Sequence, residues 1–388
     1  MDKPAEIQSL LEKVENQYLP QWLQLFSSPN SGFQERLSQD GKPISMPRRL
    51  LSQCRMLYVY SLALENNPEN SNYLNKINET FDFIKTHYFN PSTSGSIFSL
   101  DKNNKAADTH YDLYAHAFII LACSQYCKVT QNSQAQDYAD ITLKFIKETF
   151  KLDKGYAEAL DENLKPLKRI RRQNPHMHLL ESCLVAFEIF KSKKYLDVAT
   201  EIIELFFDKF FDQETQILGE FFDNDLNTHA QEGHKIEAGH HGEWIWLLSE
   251  YKRLSGNTDD RISHAQASLF RFIYDHGMDW EKGGVFNVQN RNGKILDSSK
   301  RIWTSFEVLR AAYIMREKEG FKEEAGEIID RLMPVLSNHY LNAENGLWHE
   351  TLDENLEPIS DFYPATTPYH IYGALISMLN CQCKQVQI

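Results

Sequence analysis

A glycine, an aromatic-rich stretch with a turn, and a long apolar helix pattern recur six times along this chain. The glycines are Gly32, Gly95, Gly155, Gly219, Gly283 and Gly346, spaced 60 to 64 residues apart. Each is followed by an alternating run ending in turn chemistry, such as Gln39-Asp40-Gly41, Asp161-Glu162-Asn163 or Asn290-Arg291-Asn292-Gly293. These are hairpin signals. A fixed period of this length constrains the fold strongly, because each unit must bury its apolar face against its neighbours. Ahead of each glycine lies a helix pattern with charge on one face: 5–24, 69–88, 134–150, 195–211, 258–276 and 319–339. After each hairpin comes a second series, apolar nearly all round: 49–65, 110–128, 175–191, 240–254, 302–316 and 367–380. A helix apolar on all sides is buried. The expectation is an all-α (α/α)6 barrel of twelve helices in two rings, with short β-hairpins at its mouth and a single catalytic domain over 1–388. A solenoid of helical hairpins would need atypical end repeats, and the end repeats here resemble the others.

Composition narrows the partners. The net charge of −13 disfavours nucleic acid and anionic membrane. No apolar run approaches the roughly 20 residues that span a bilayer. The N-terminus lacks the compact apolar segment of a signal peptide. Of six cysteines, four fall in helical patterns, where a small buried thiol is the ordinary reading. Reduced thiols and a cytoplasmic location are expected. Cys381 and Cys383, near the end, read as part of a frayed terminus rather than a metal site.

Measured from the repeat glycines, the polar residues that interrupt the inner helices fall at similar offsets. Arg55, Tyr114, Asn174, His178, His240, Glu243, Trp303 and His370 all lie 19 to 24 residues after a glycine. In a closed barrel, equal offsets mean equal depth, so these side chains can line one pocket. Helix N-termini at that depth also favour oxyanions and hydroxyl-rich ligands. Asn174 and His178 are four apart and share a helix face, whereas His176 lies roughly 200° from His178. His178 therefore goes with Asn174, and His176 points away. His240 and Glu243 share a face, while His241 turns aside. A lone helical histidine is ordinarily structural; three at matched depth on three repeats point to function. Tyr114 and Trp303 read equally well as core aromatics. Arg55 on a buried helix needs a partner or a ligand. The run Arg169–Arg172 reads as solvated loop charge. A helical zinc site prefers histidines four apart, so His176 and His178 do not suggest a metal.

Histidines near neutral pH are general acids and bases. Glycoside hydrolysis would want two independent carboxylates across the scissile bond, and a polymer lyase would want several arginines in an open cleft. Here histidines dominate, which favours proton transfer at a carbon next to a carbonyl. The run Gln173-Asn174-Pro175-His176-Met177-His178-Leu179-Leu180-Glu181 resembles a signature of the N-acylglucosamine 2-epimerase superfamily. Gly239-His240-His241-Gly242-Glu243-Trp244 and Pro368-Tyr369-His370 resemble two further segments of it, and Arg55, Tyr114–Phe118 and Trp303 with Glu307 also match. Within that superfamily the Asn174–Glu181 segment is most similar to the mannose isomerase branch.

The resemblance implies a sugar isomerase that interconverts an aldose and a ketose, D-mannose and D-fructose, through a cis-enediol. The alternative it implies is a sugar 2-epimerase. No metal or other cofactor is implied. His240 and His370 would form the acid–base pair, His178 and Arg55 would polarise O1 and O2, and Glu243 would orient His240. Tyr114, Asn174, Trp303 and Glu307 would contact the sugar. The partner is a small-molecule sugar, not nucleic acid or membrane, and a homodimer is allowed for. The absence of a long insertion over the pocket favours a monosaccharide.

Overall fold

The computed structural model of the protein describes residues 3–343 and 345–383, with side chains described from 5 to 379. Six inner helices span Leu50–Asn66, Leu113–Thr130, Gln173–Phe190, Ala238–Ser255, Ile302–Met315 and Pro368–Cys383. Six outer helical stretches precede them. The first runs from Lys3 to Phe26, and the others begin at Ser71, Ser133, Lys193, Asp260 and Lys322. Each inner helix packs on the next, and the sixth packs on the first, so the inner ring closes. Each inner helix also packs on the outer helix that follows it, and the sixth on the outer helix at the N-terminus. That closure excludes the solenoid. The twelve-helix double ring is the (α/α)6 arrangement expected from the period.

The seam between first and last repeats is aromatic. Trp22 meets Trp348 edge-on at 5.2 Å, and Phe26 stacks on Trp348 at 6.1 Å. Trp22 Nε1 donates to the Gly346 carbonyl at 3.1 Å, which ties the ends of the chain together.

The hairpin turns share one mechanism. Asp101, Asp161, Asp223, Asn290 and Asp353 each accept backbone N–H bonds two and four residues on through a side-chain oxygen. Such Asx turns are why these residues punctuate each repeat. The strands also reach across repeats, which the sequence does not announce. Arg48–Arg49 pairs with Ser99–Leu100, Tyr111–Asp112 with Ala159–Leu160, and Arg171–Arg172 with Phe221–Phe222. Lys235–Ile236 pairs with Val288–Asn290, Lys300–Arg301 with Thr351–Leu352, and Phe362–Pro364 with Arg36–Ser38. These six ladders lace the mouth into a ring. Each one fixes the strand that leads into an inner helix, directly in four cases, with one residue between for Lys235–Ile236 and three for Phe362–Pro364.

The repeat glycines answer to crowding as well as to backbone angle. A Cβ on Gly95 would sit 2.5 Å from the Phe145 ring and 2.7 Å from Tyr111. We therefore expect Gly95→Val to destabilise the protein by about 1–3 kcal/mol, the usual range for overpacking. A lowered urea midpoint would register it; an unchanged midpoint would mean that Phe145 yields freely.

Candidate active site

The residue that caps each inner helix gives a common origin for depth: Arg49, Asp112, Arg172, Glu237 and Arg301 cap the first five, and Thr367 precedes the sixth. Successive residues rise about 1.5 Å and turn about 100°. Two residues into the helix stand Tyr114, Asn174 and Trp303. Three in stand His240 and His370, and six in stand Arg55, His178, Glu243 and Glu307. Steps of two, three and six fall within a sector of about 100°, facing the barrel axis.

The fourth step points elsewhere and is occupied by Gln53, His116, His176 and His241. Gln53, His116 and His176 accept backbone N–H groups from the loop after a repeat glycine, at 2.7 to 3.0 Å from Phe33, Ser96 and Tyr156. Nδ1 of His116, His176 and His241 contacts the carbonyl four residues back. Burial lowers His116 and His241 to about 4 and His176 to about 3. These are neutral structural rings, placed as helix phase predicts.

All the expected residues except Glu307 line one cavity of about 230 Å³ at the inner-helix N-termini. Trp303 stands between the two outer histidines, 5.0 Å from His240 and 5.4 Å from His370. His240 Nδ1 lies 2.9 Å from Glu220 Oε2. Burial opposes charge on His240, but Glu220 and Glu237 more than offset it and raise its pKa to about 9. The ring is therefore an imidazolium at neutral pH. Its Nε2 is 2.7 Å from Asn174 Nδ2, while Asn174 Oδ1 is buried without a partner. Exchanging the amide's O and N lets Oδ1 accept the Nε2–H and satisfies both groups.

His370 is the opposite case. Burial, reinforced by Arg55 and His178, lowers its pKa well below the ordinary range. Its Nδ1 donates to Glu307 Oε1 at 2.8 Å, and Glu307 is paired on its other oxygen with Arg310. That leaves Nε2 with a free lone pair toward the cavity. His178 is likewise held neutral by burial and by Arg55. Its Nδ1 is 2.9 Å from Glu181 Oε2, and Tyr369 donates to the other Glu181 oxygen at 2.5 Å. Burial raises Glu181 to about 7.

Arg55 donates to Tyr114 Oη at 2.6 Å and to the Thr366 carbonyl at 3.2 Å. Its guanidinium lies 4.6 Å from the Phe118 and Tyr369 ring centres. No carboxylate pairs with it among the described residues, so its charge is available to an oxyanion.

Three sequence readings are corrected. Glu243 does not orient His240; Glu220 does. Glu243 sits six residues into its helix, one turn deeper, with Oε1 3.8 Å from His178 Nε2. Both its oxygens are buried without a hydrogen-bond partner, and burial beside Glu307 and Glu181 raises its pKa well above the usual range. Glu307 does not face the cavity, because His370 stands between. Arg171 and Arg172 are not solvated loop charges. Arg171 is buried and donates to the Lys154, Tyr156 and Asn224 carbonyls. Arg172 pairs with Glu158 at 2.8 Å and lines the cavity. Cys54, Cys123, Cys127 and Cys183 are free thiols; the side chains of Cys381 and Cys383 lie outside the described residues.

Glu220, Glu237, Arg172, Arg301, Glu350 and Thr367 line the cavity without having been singled out in the sequence. A signal existed for two of them. Glu35, Glu158, Glu220 and Glu350 each follow a repeat glycine within four residues. Each bonds the start of an inner helix: Glu35 to Arg49, Glu158 to Arg172, Glu220 to His240 and Glu350 to Thr367.

His178, Glu181 and Glu243, and also Glu243, Glu307 and His370, bring three donor atoms within 4.8 Å of one another, a spacing a cation could bridge. Arg310 already supplies Glu307 with a counter-charge.

The pattern of the N-acylglucosamine 2-epimerase (GlcNAc 2-epimerase) family matches residues 32–374. The chain is 25% identical to cellobiose 2-epimerase of Dictyoglomus turgidum, over 95% of this chain and 97% of that one. It is 27% identical to mannose-6-phosphate isomerase of Rhizobium meliloti, over 94% of each. A crystal structure of D-mannose isomerase superposes with a TM-score of 0.86 at 22% identity, covering 96% of this chain and 98% of that one.

Proposed function

This chain belongs to the N-acylglucosamine 2-epimerase family, and from that premise we propose that it interconverts D-mannose and D-fructose by histidine acid–base catalysis. That it is a sugar epimerase or isomerase follows from the family and its relatives. The observation that carries the finer reading is the pair of histidines against one indole, one charged and one neutral. Environments that push two titratable groups apart assign an acid and a base.

In this reading the open-chain aldose lies with C2 beside His370 Nε2, which takes the C2 proton. The electron pair moves to C1–C2 and the carbonyl oxygen becomes an enediolate. Arg55 stabilises that charge, and His178 joins it as an Nε2–H donor when Glu181, raised to about 7, carries the proton shared with Nδ1; preorganised donors of this kind are usually the largest single contribution to rate. Return of the proton to C1, with the O2 proton passing to O1, gives the ketose. His240 as imidazolium protonates the ring oxygen when the pyranose opens, its Nε2–H turning from Asn174 Oδ1 to the sugar. Trp303 offers a face for the apolar side of the sugar. The cavity is below the roughly 300–1,000 Å³ of typical ligand sites, which suits a monosaccharide.

A second reading has its own support. An acid and a base on either side of Trp303 could also reprotonate C2 from the opposite face, which is 2-epimerisation.

The test is incubation in deuterated water with D-mannose, D-mannose 6-phosphate and cellobiose, followed by proton NMR. We expect fructose from mannose, with solvent deuterium at C1 of fructose and C2 of mannose. Glucose appearing before fructose would make the protein a 2-epimerase. Exchange with cellobiose but no free aldose would overturn the monosaccharide assignment. Because the charge stabilisation is assigned to Arg55 and His178, a chelator is expected to leave the rate unchanged; a chelator-sensitive rate restored by a divalent cation would overturn that part.

A further inference from the structure

The rim of the cavity carries two charged side chains to which the mechanism gives no contact with the sugar. Glu237 and Arg301 cap the fourth and fifth inner helices, and both line the cavity. Among the described residues, neither side chain makes a hydrogen bond or ion pair. Arg301 only lies beside the Trp303 ring, at 5.4 Å. Arg172, at the equivalent place on the third inner helix, is instead tied to Glu158 through Nε and Nη2. Glu237 and Arg301 therefore stand on adjacent helices with opposite charge, yet do not close on each other.

A carboxylate and a guanidinium held apart over a small cavity suit a group that both donates and accepts, which is a hydroxyl. Depth agrees. The cap layer lies about 4.5 Å above the layer of His240 and His370, at about 1.5 Å per residue. A sugar with its C1–C2 end between those histidines turns its other end toward the rim.

We propose that Glu237 and Arg301 are binding residues that recognise the distal hydroxyls of a six-carbon sugar, around C4 to C6, and so select chain length. This rests on the sugar-isomerase reading above. Charge-assisted hydrogen bonds are worth more than neutral ones, so losing one is a large change in affinity.

Equilibrium binding of two unreactive polyols by calorimetry tests it: D-mannitol, with six carbons, and erythritol, with four. Binding is the chosen readout because Glu237 also raises the pKa of His240, which would confuse a rate. We expect Arg301→Ala and Glu237→Gln each to weaken mannitol binding about tenfold or more, while erythritol binding stays as in the parent. Unchanged mannitol affinity in both variants would overturn the proposal. So would equal weakening of both polyols, which would mean a structural role, or a parent that binds the two equally. A parent that binds mannitol better than erythritol, with variants that erase the difference, but with no turnover of any aldose, would leave this proposal standing and overturn the isomerase reading.

Discussion

His370→Ala is expected to lower turnover by about 10²- to 10⁴-fold, the usual worth of a general base. His370 Nε2 is the free lone pair in the cavity, because Nδ1 is engaged by Glu307. The loss should fall in kcat rather than KM, since Arg55, Asn174 and Trp303 remain to hold the sugar. Deuterium uptake at C2 should fall in parallel. The fold should persist, because the ring borders a cavity and Glu307 stays paired with Arg310. Melting curves alongside initial rates would check both points. Near-parental turnover would remove His370 from the chemistry.

Glu220→Gln is expected to act through His240. Burial by itself would lower this histidine; Glu220 is the main force raising it to about 9. The imidazolium is present below that pKa and is lost as pH rises through it. With the carboxylate gone, the basic limb of the pH–rate profile should move down, from about 9 toward the ordinary histidine value near 6.5. Activity at pH 8 should drop while activity near pH 6 is largely kept, and KM should change little, because Gln preserves the hydrogen-bonding shape. A profile that loses height without moving would make Glu220 merely structural. Glu243→Gln, by contrast, should move that limb less, since Glu243 approaches His178 most closely and is the weakest of the carboxylates that raise His240.

The contrast between Glu220 and Glu243 shows where sequence reasoning stopped. Glu243 was visible because it lies three residues from His240 on one helix, and i, i+3 neighbours share a face. Glu220 lies twenty residues earlier, just ahead of the strand Phe221–Phe222. No periodicity along the helix reaches it; the ladder of Arg171–Arg172 with Phe221–Phe222 seats it at the start of the third inner helix, where Gln173 donates to it, and the packing of the fourth inner helix brings His240 alongside. Glu307 failed for a related reason. Its phase on the helix was right, but His370, from a different repeat, occupies the space between it and the cavity.

The sequence by itself determined the number of repeats, the two rings of helices, and which face of each inner helix meets the axis. It did so because a 3.6-residue turn and a near-constant repeat convert residue spacing into direction and depth. That was enough to separate His178 from His176 and His240 from His241, and to bring eight side chains from six repeats to one cavity. Only the tertiary structure decided how each histidine is partnered. The partners come from other repeats, across ladders and helix contacts that have no sequence period, and the charge state of His240 and His370 depends on those partners and on burial. Spacing therefore placed His240 and His370 at one cavity, and packing decided which is charged and which is neutral.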